Sequence, residues 1–300
     1  MSTAPVIAAV DGSDDSLRAL DWAVDAARRR GATLRVVHVR QYAAWGQPDV
    51  LVAGEPDGAG DPVLDEVRDR LRTGAGEPAA EYVALEGAPT ALLPQLGADA
   101  QLLVLGSRGR GGFASLLLGS NGLAAARDAG CPVVVVPRPG RVVHEELPAE
   151  PGPRVVVGLD VDSPDDATLA FAFAEAAGRD ALLQVIAAYP WPVQSWAAAG
   201  GMVPPAVDQD EVEHETRTLA EGFLAPYLKN HPDVRTQILA PPGDAAGLLV
   251  SASKDAGLVV VGRHRRRPLA PARMMGSVTQ AVLLHAAAPV AVVPPAPAEE

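Results

Sequence analysis

The sequence predicts an α/β fold built as two consecutive open parallel sheets of five strands each, with helices on both faces. Three observations carry this prediction. Short runs rich in Val and Leu alternate with longer stretches of helical period, which is the signature of parallel strands joined by helices. The alternation then occurs a second time along the chain. With 300 residues, 48% hydrophobic and 21% charged, the chain is too apolar to be disordered and long enough for two domains, each burying its own core.

The repeat is legible residue by residue. VIAAVDGSDDSLRALDWAVDAA (6–27) returns as VVVGLDVDSPDDATLAFAFAEAA (155–177), with Asp11 matching Asp160. LLVLGSRGRGG (102–112) returns as LVVVGRHRRRP (258–268), and GSNGLAAARDAGCPVVVVP (119–137) as GSVTQAVLLHAAAPVAVVP (276–294). The divisions expected are domain 1 at 1–139, a linker at 140–152 within the proline-rich stretch Pro139 to Pro153, and domain 2 at 153–300.

In the first half the strands are expected at Val6 to Val10, Thr33 to Arg40, Ala79 to Leu85, Leu102 to Leu105 and Val133 to Val136. The first helix follows Ser13, a suitable N-cap, and sets Leu17, Leu20, Val24 and Ala27 on one face. The second opens at Asp61-Pro62, an N-cap followed by Pro at the first helical position. The second half repeats the scheme with strands at Val155 to Leu159, Leu182 to Ala188, Val234 to Leu239, Leu258 to Val261 and Val290 to Val293. Pro226 is expected to break its long second helix, since proline removes a donor and crowds the preceding turn. In open sheets of this kind a ligand sits beyond the carboxyl ends of the strands, near the point where strand order reverses.

Composition narrows the partners. The net charge is −12, and only Lys229 and Lys254 among the 25 basic residues are lysines, so the chain would repel a phosphate backbone and no nucleic acid partner is expected. Met274 to Ala298 carries no formal charge but holds four prolines, which a membrane span would accommodate badly; no membrane partner is expected. The single cysteine, Cys131, cannot form an intramolecular disulfide, and the first ten residues lack a basic segment ahead of an apolar one, so the chain reads as cytoplasmic. Cys131, before Pro132 and four valines, reads as an inert core residue. The six histidines form no cluster with metal-ligand spacing, and no metal site is expected.

Chemistry concentrates after the fourth strand, in Gly106-Ser107-Arg108-Gly109-Arg110-Gly111-Gly112, with Gly119-Ser120 opening the next helix. Glycines let the backbone take positive φ and approach a ligand closely, while the free N–H groups at a helix start attract anions. Ser120 adds a hydroxyl donor, and Arg108 and Arg110 can neutralise phosphate locally. The plain alternatives are a glycine-rich connector without a ligand, and an Asp11 that merely caps the following helix.

Asp11 after the first strand, the glycine spacing that ends in Gly119-Ser120, and the closing Cys131-Pro132 with four valines resemble the universal stress proteins, over both halves of the chain. The resemblance implies a tandem member of the nucleotide-binding type, taking ATP (or ADP or AMP) with Mg2+ on its phosphates. It places Ala9, Asp11 and the backbone at Val39 against the adenosine. Gly106, Ser107, Arg108, Gly109, Arg110, Gly111, Gly112, Gly119, Ser120 and Asn121 then face the phosphates. A second, weaker nucleotide site is implied at Gly158, Asp160, Gly262, Arg263, Gly276, Ser277 and Val278. In this family the final strands commonly pair across a dimer, so intramolecular pairing of the two halves and a homodimer of whole chains are expected.

The chain departs from the family pattern in places. Ala9 stands where many members have Gly, so its methyl group would crowd the base; the second half has Gly158 there. Asn121 replaces the common Val, present as Val278 in the repeat. Arg265 replaces the second loop glycine in the second half, whose loop is one residue longer and carries Arg263, Arg266, Arg267, Arg273 and His264. Trp191 and Trp196 read as loop packing, or as a cover for the second pocket or a partner surface.

No Walker A loop, first-strand dinucleotide fingerprint, nucleophile elbow or zinc-protease pair occurs. Three functions from different classes stay open: a regulatory ATP-binding stress-response protein with slow or no turnover, a ligand-free scaffold acting through protein contacts, and an ATP-consuming enzyme. No catalytic residue is assigned, because no general base is evident beside the phosphates, and this leaves at most a weak ATPase.

Overall fold

The computed structural model describes residues 4–41, 60–72, 78–109, 117–143, 147, 150–191, 208–263 and 275–296. The chain divides into two compact units, Met1–Arg138 and Pro139–Glu300.

Unit 1 runs β1 (Val6–Val10), α1 (Asp14–Arg30), β2 (Leu34–Arg40), α2 (Pro62–Arg72), β3 (Ala80–Glu86), α3 (Pro89–Leu96) with a 3-10 turn at Gly97–Asp99, β4 (Leu102–Gly106), α4 (Ser120–Asp128) and β5 (Val133–Val136). Its strands lie in the order β3-β2-β1-β4-β5, and every neighbouring pair is parallel. The apolar runs explain the burial. Ile7, Leu34, Leu102 and Leu103 are fully enclosed, each contributing about 2 kcal/mol relative to exposure. Strand order reverses between β1 and β4, so the connections leaving these two strands turn to opposite faces and open a crevice between them.

The helix ends follow local chemistry. The Ser13 hydroxyl accepts from the Ser16 N–H to start α1, and Gly31, at φ 58°, closes it by donating to the Ala27 and Arg28 carbonyls. Leu20, Val24 and Ala27 are buried as expected, while Leu17 is half-buried. Asp61 caps α2, accepting from the Val63 and Leu64 N–H groups at 3.0 and 3.1 Å.

Unit 2 runs β6 (Arg154–Gly158), α5 (Asp166–Arg179), β7 (Leu182–Ile186), α6 (Gln209–Asn230), β8 (Thr236–Leu239), α7 (Ala245–Ala252), β9 (Leu258–Gly262), α8 (Ser277–His285) and β10 (Val290–Val293). The strand order β10-β9-β6-β7-β8 repeats that of unit 1, again all parallel. Equivalent cross-strand positions hold different chemistry: Arg35 on β2 donates to Glu81 on β3 at 2.8 Å, whereas Gln184 on β7 donates to Gln237 on β8 at 2.9 Å.

The predicted break at Pro226 does not occur. Pro226 lies inside α6, which continues to Asn230. The carbonyl that loses its partner is that of Gly222, four residues back, and both residues are exposed, so water replaces the missing donor and the helix carries on.

Candidate functional site

The carboxyl ends of β1, β2 and β4, with the starts of α3 and α4, enclose a cavity of about 580 Å³. That is within the range of small-molecule and cofactor sites. Among the residues singled out in the sequence, it brings together Ala9, Asp11, Val39, Gly106, Ser107, Arg108, Gly109, Gly119, Ser120 and Asn121. Arg110, Gly111 and Gly112 lie outside the described residues.

Asp11 is fixed by the turn that starts α1. Its Oδ1 accepts from the Ser13 N–H at 3.0 Å and from the Ser13 hydroxyl at 2.6 Å, while its own N–H donates to the Ser16 hydroxyl at 3.3 Å. Gly12, at φ 75°, makes that turn possible. Ser13 is therefore the helix cap and Asp11 its support, which leaves Oδ2 as the carboxylate oxygen next to Gly109.

The loop glycines act differently from the expectation of positive φ. None of Gly106, Gly109 and Gly119 has a positive φ. What each of the first two needs is space. A Cβ on Gly106 would lie 2.6 Å from the backbone carbonyl of Asp15, so this glycine lets the first turn of α1 press against the end of β4. A Cβ on Gly109 would strike Oδ2 of Asp11. Gly119, by contrast, has only Ser107 O at 3.6 Å and Arg108 Cα at 3.8 Å in that direction, and no side chain caps the helix it opens. The N–H groups of Ser120, Asn121 and Gly122 belong to the first turn of α4, ahead of the first intrahelical bond from Leu123 to Gly119, and they border the cavity.

Ser107 is the anchor of the loop. Its N–H donates to Val136 O at 2.9 Å, its carbonyl accepts from Gly119 N–H at 2.7 Å, and its hydroxyl donates to Oδ2 of Asp15 at 3.4 Å. The carboxylate of Asp15, 2% exposed, also pairs with Arg18 and with Arg138 at 3.2 Å. The Ser107 hydroxyl is thus committed to Asp15, which withdraws it from a ligand.

Sequence reasoning missed a second pair of side chains. His38, on β2, lines the cavity, and its Nδ1 sits 2.7 and 2.9 Å from the two carboxylate oxygens of buried Asp61. These residues are 23 apart in sequence, beyond any ligand-spacing pattern. The available signal was a lone imidazole in the otherwise apolar centre of β2 and an aspartate at an N-cap. Burial tends to raise the Asp61 carboxyl, but the hydrogen bonds from His38 and the Leu64 and Val63 N–H groups, with the His38 charge, hold it below its ordinary value of 3.8. A carboxylate with a depressed folded-state pKa contributes stability that is present above its unfolded value and is lost as pH falls through the folded one. Asp61→Asn is therefore expected to destabilise unit 1 at neutral pH, with the deficit shrinking below about pH 4. Urea unfolding across that pH range checks it, and a deficit independent of pH would refute it.

The second set is arranged differently. α5 begins six residues after Asp160, whereas α1 begins three after Asp11, so Asp160 lies in an exposed turn and accepts from the Asp162 N–H at 3.1 Å. The open side of Gly158 is filled by Leu249, whose Cδ1 is 2.9 Å from where a Cβ would be. Leu249 corresponds to Leu93, which lines the cavity in unit 1 beside Ala9. The cavity of unit 1 is open beside the methyl group of Ala9, while the glycine at the matching position of unit 2 admits a leucine. Gly276 and Ser277 open α8, with Val278 in its first turn, as Gly119 and Ser120 open α4. Gly262 faces Thr168 and Asp165, as Gly106 faces Asp15, and the Arg263 N–H donates to Val293 O. His264, Arg265, Arg266, Arg267 and Arg273 lie outside the described residues, as does Trp196. Trp191 meets Tyr189 edge-on.

Among the described residues no three His, Cys, Asp or Glu side chains cluster as a metal site, and no helix is long and apolar enough to cross a membrane.

The sequence model described as the universal stress protein family matches residues 3–137 and again 153–294. The chain belongs to that family. This universal stress protein is 32% identical over 295 residues to the universal stress protein Rv2005c of Mycobacterium tuberculosis, a match that covers 96% of each chain. In fold it is similar to a functionally unknown protein from Pseudomonas aeruginosa, with a TM-score of 0.65, 17% identity and coverage of 98% and 93% of the two chains. It is also similar to a universal stress protein from Archaeoglobus fulgidus, with a TM-score of 0.62, 17% identity and coverage of 98% and 99%.

Proposed function

We propose that unit 1 of this universal stress protein binds an adenine nucleotide, ATP or its ADP and AMP forms, as a cytoplasmic stress-response regulator with slow or no turnover. The observation that carries this reading is the cavity itself. One end presents the uncapped start of α4 and the glycine-loop backbone, which suit phosphates; the other presents Asp11 and Val39 at the ends of β1 and β2, which suit a nucleoside. Mg2+ would accompany the phosphates at the glycine-loop end. Mass spectrometry of small molecules released on denaturing the purified protein tests the reading. Adenine nucleotide supports it; its absence, with no binding on titration, would favour a ligand-free scaffold.

Unit 2 is proposed as the weaker site, because Leu249 fills the space beside Gly158 and Asp160 stands in an exposed turn. Calorimetric titration with ATP is expected to show one strong class of site per chain. Two equal sites per chain would refute this.

Assembly is proposed on the family resemblance: the two halves pair within the chain, and whole chains dimerise. Light scattering of the full chain, with and without ATP, measures the second, and a monomer at every concentration would refute it. Separately expressed halves, mixed, measure the first.

A further inference from the structure

The carboxylate of Asp15 joins three segments of chain that leave the sheet side by side. It belongs to the first turn of α1, after β1. It accepts from the Ser107 hydroxyl, after β4, and pairs with Arg138, after β5, as well as with Arg18 one turn further along α1. Because β4 lies between β1 and β5, the three exits meet at the base of the glycine loop.

An acidic residue in a first helical turn ordinarily serves the helix dipole from water. Asp14 is exposed and can do that; Asp15 is 2% exposed, where a carboxylate is costly to desolvate and adds little to stability even when paired. The second copy of the fold does without it. Asp165 caps α5 through the Thr168 N–H as Ser13 caps α1 through the Ser16 N–H, and the Arg263 N–H bonds to Val293 O as the Ser107 N–H bonds to Val136 O. On that correspondence Asp15, Arg18, Ser107 and Arg138 stand against Ala167, Ala170, Arg263 and Pro295. The members of the network are replaced together, in the unit proposed above as the weaker site.

We propose that Asp15 is a positioning residue for phosphate binding: through Ser107 it fixes the base of the glycine loop against the start of α4. This rests on the nucleotide reading of unit 1 and names the group that holds its phosphate end in place. The path is short. Asp15 takes the Ser107 hydroxyl, the Ser107 carbonyl takes the Gly119 N–H at 2.7 Å, and Gly119 opens α4, so the loop base and the helix start are held as one piece. One carboxylate against two guanidinium groups leaves these three side chains with a net positive charge, so the network does not repel a phosphate above it.

Removing the carboxylate is the clean perturbation. Arg18 and Arg138 are 33% and 52% exposed and can turn to water, whereas removing the arginines would strand a buried charge. The test is calorimetric titration of the full chain with ATP, for wild type, Asp15→Ala, Ser107→Ala and the double variant, beside amide hydrogen exchange of the ligand-free proteins. Each single variant should weaken binding about tenfold, and the double variant no further, because both cut the same tie. Ser107→Ala leaves Asp15 paired with both arginines, so it reads the tie even if Asp15→Ala does not fold. Asp15→Asn, which keeps an oxygen for the Ser107 hydroxyl, should recover most of the affinity.

Without ligand, Asp15→Ala should speed exchange at the Ser107 and Gly119 amides and leave those of β1 at the wild-type rate, whereas a residue that only stabilises unit 1 would speed them together. Unchanged affinity in the single variants, losses that add in the double variant, or an asparagine variant as weak as alanine would overturn the proposal while the nucleotide reading stands. If wild type binds no ATP, both fall.

Discussion

Changing Gly109 and Gly119 together to alanine is expected to weaken ATP binding to unit 1 by about two orders of magnitude while leaving the fold intact. The magnitude corresponds to two hydrogen bonds from the loop and the first turn of α4 to a charged group that the added methyl groups hold away, at about 1.5 to 2 kcal/mol each. The fold survives for separate reasons at the two sites. At Gly119 the new methyl group meets only ordinary contacts, so the cost is that of a poorer N-cap, about 1 kcal/mol or less. At Gly109 it meets the tip of the Asp11 side chain, which can swing away, and that displacement removes the carboxylate from the nucleoside end. Calorimetric titration beside a circular-dichroism melt separates the effects. Unchanged affinity in the double variant would overturn the loop assignment.

Gly106→Ala is expected to show the opposite pattern, a stability loss of about 2 to 3 kcal/mol in unit 1. Its Cβ would lie 2.6 Å from both the carbon and the oxygen of the Asp15 carbonyl, and backbone inside a helix turn cannot move aside as a side-chain tip can. Gly262→Ala serves as the internal comparison. There the nearest atoms are Thr168 Oγ1 at 2.7 Å and Asp165 Oδ2 at 3.4 Å, both at the ends of side chains, so about 1 kcal/mol is expected. Urea unfolding of both variants decides the point, and equal losses would refute the account.

These two results bear on what the sequence discloses. The strands were legible because parallel strands buried on both faces read as continuous runs such as VVVV in β5 and LLVLG in β4, and observed boundaries lie within two residues of those expected. The cap at Ser13 and the Asp61-Pro62 start were legible because both are local chemistry. The reason for Gly106 was not, since its constraint comes from Asp15, 91 positions earlier in the chain. Nor was the partnership of His38 and Asp61, which needs the packing of α2 onto β2. Pro226 misled because its cost depends on whether the deserted carbonyl faces water, a fact of tertiary structure.

Ser107 carries a consequence for hydrogen exchange. Its N–H bonds to Val136 O on β5, and its carbonyl takes the N–H of Gly119, so one buried residue holds both the departure of the loop from β4 and its arrival at α4. Deuterium uptake at the amides of Ser107 and Gly119 should be slow whether or not nucleotide is present, because each N–H is held by a backbone carbonyl, Val136 O and Ser107 O respectively. The neighbouring amides of Ser120, Asn121 and Gly122, which lack intrahelical acceptors, are expected to exchange quickly in the free protein and to slow on addition of ATP if the proposed site takes its phosphates. A step from slow to ligand-dependent exchange across the single peptide between Gly119 and Ser120 is the kinetic mark of a loop pinned at its base and read at its rim.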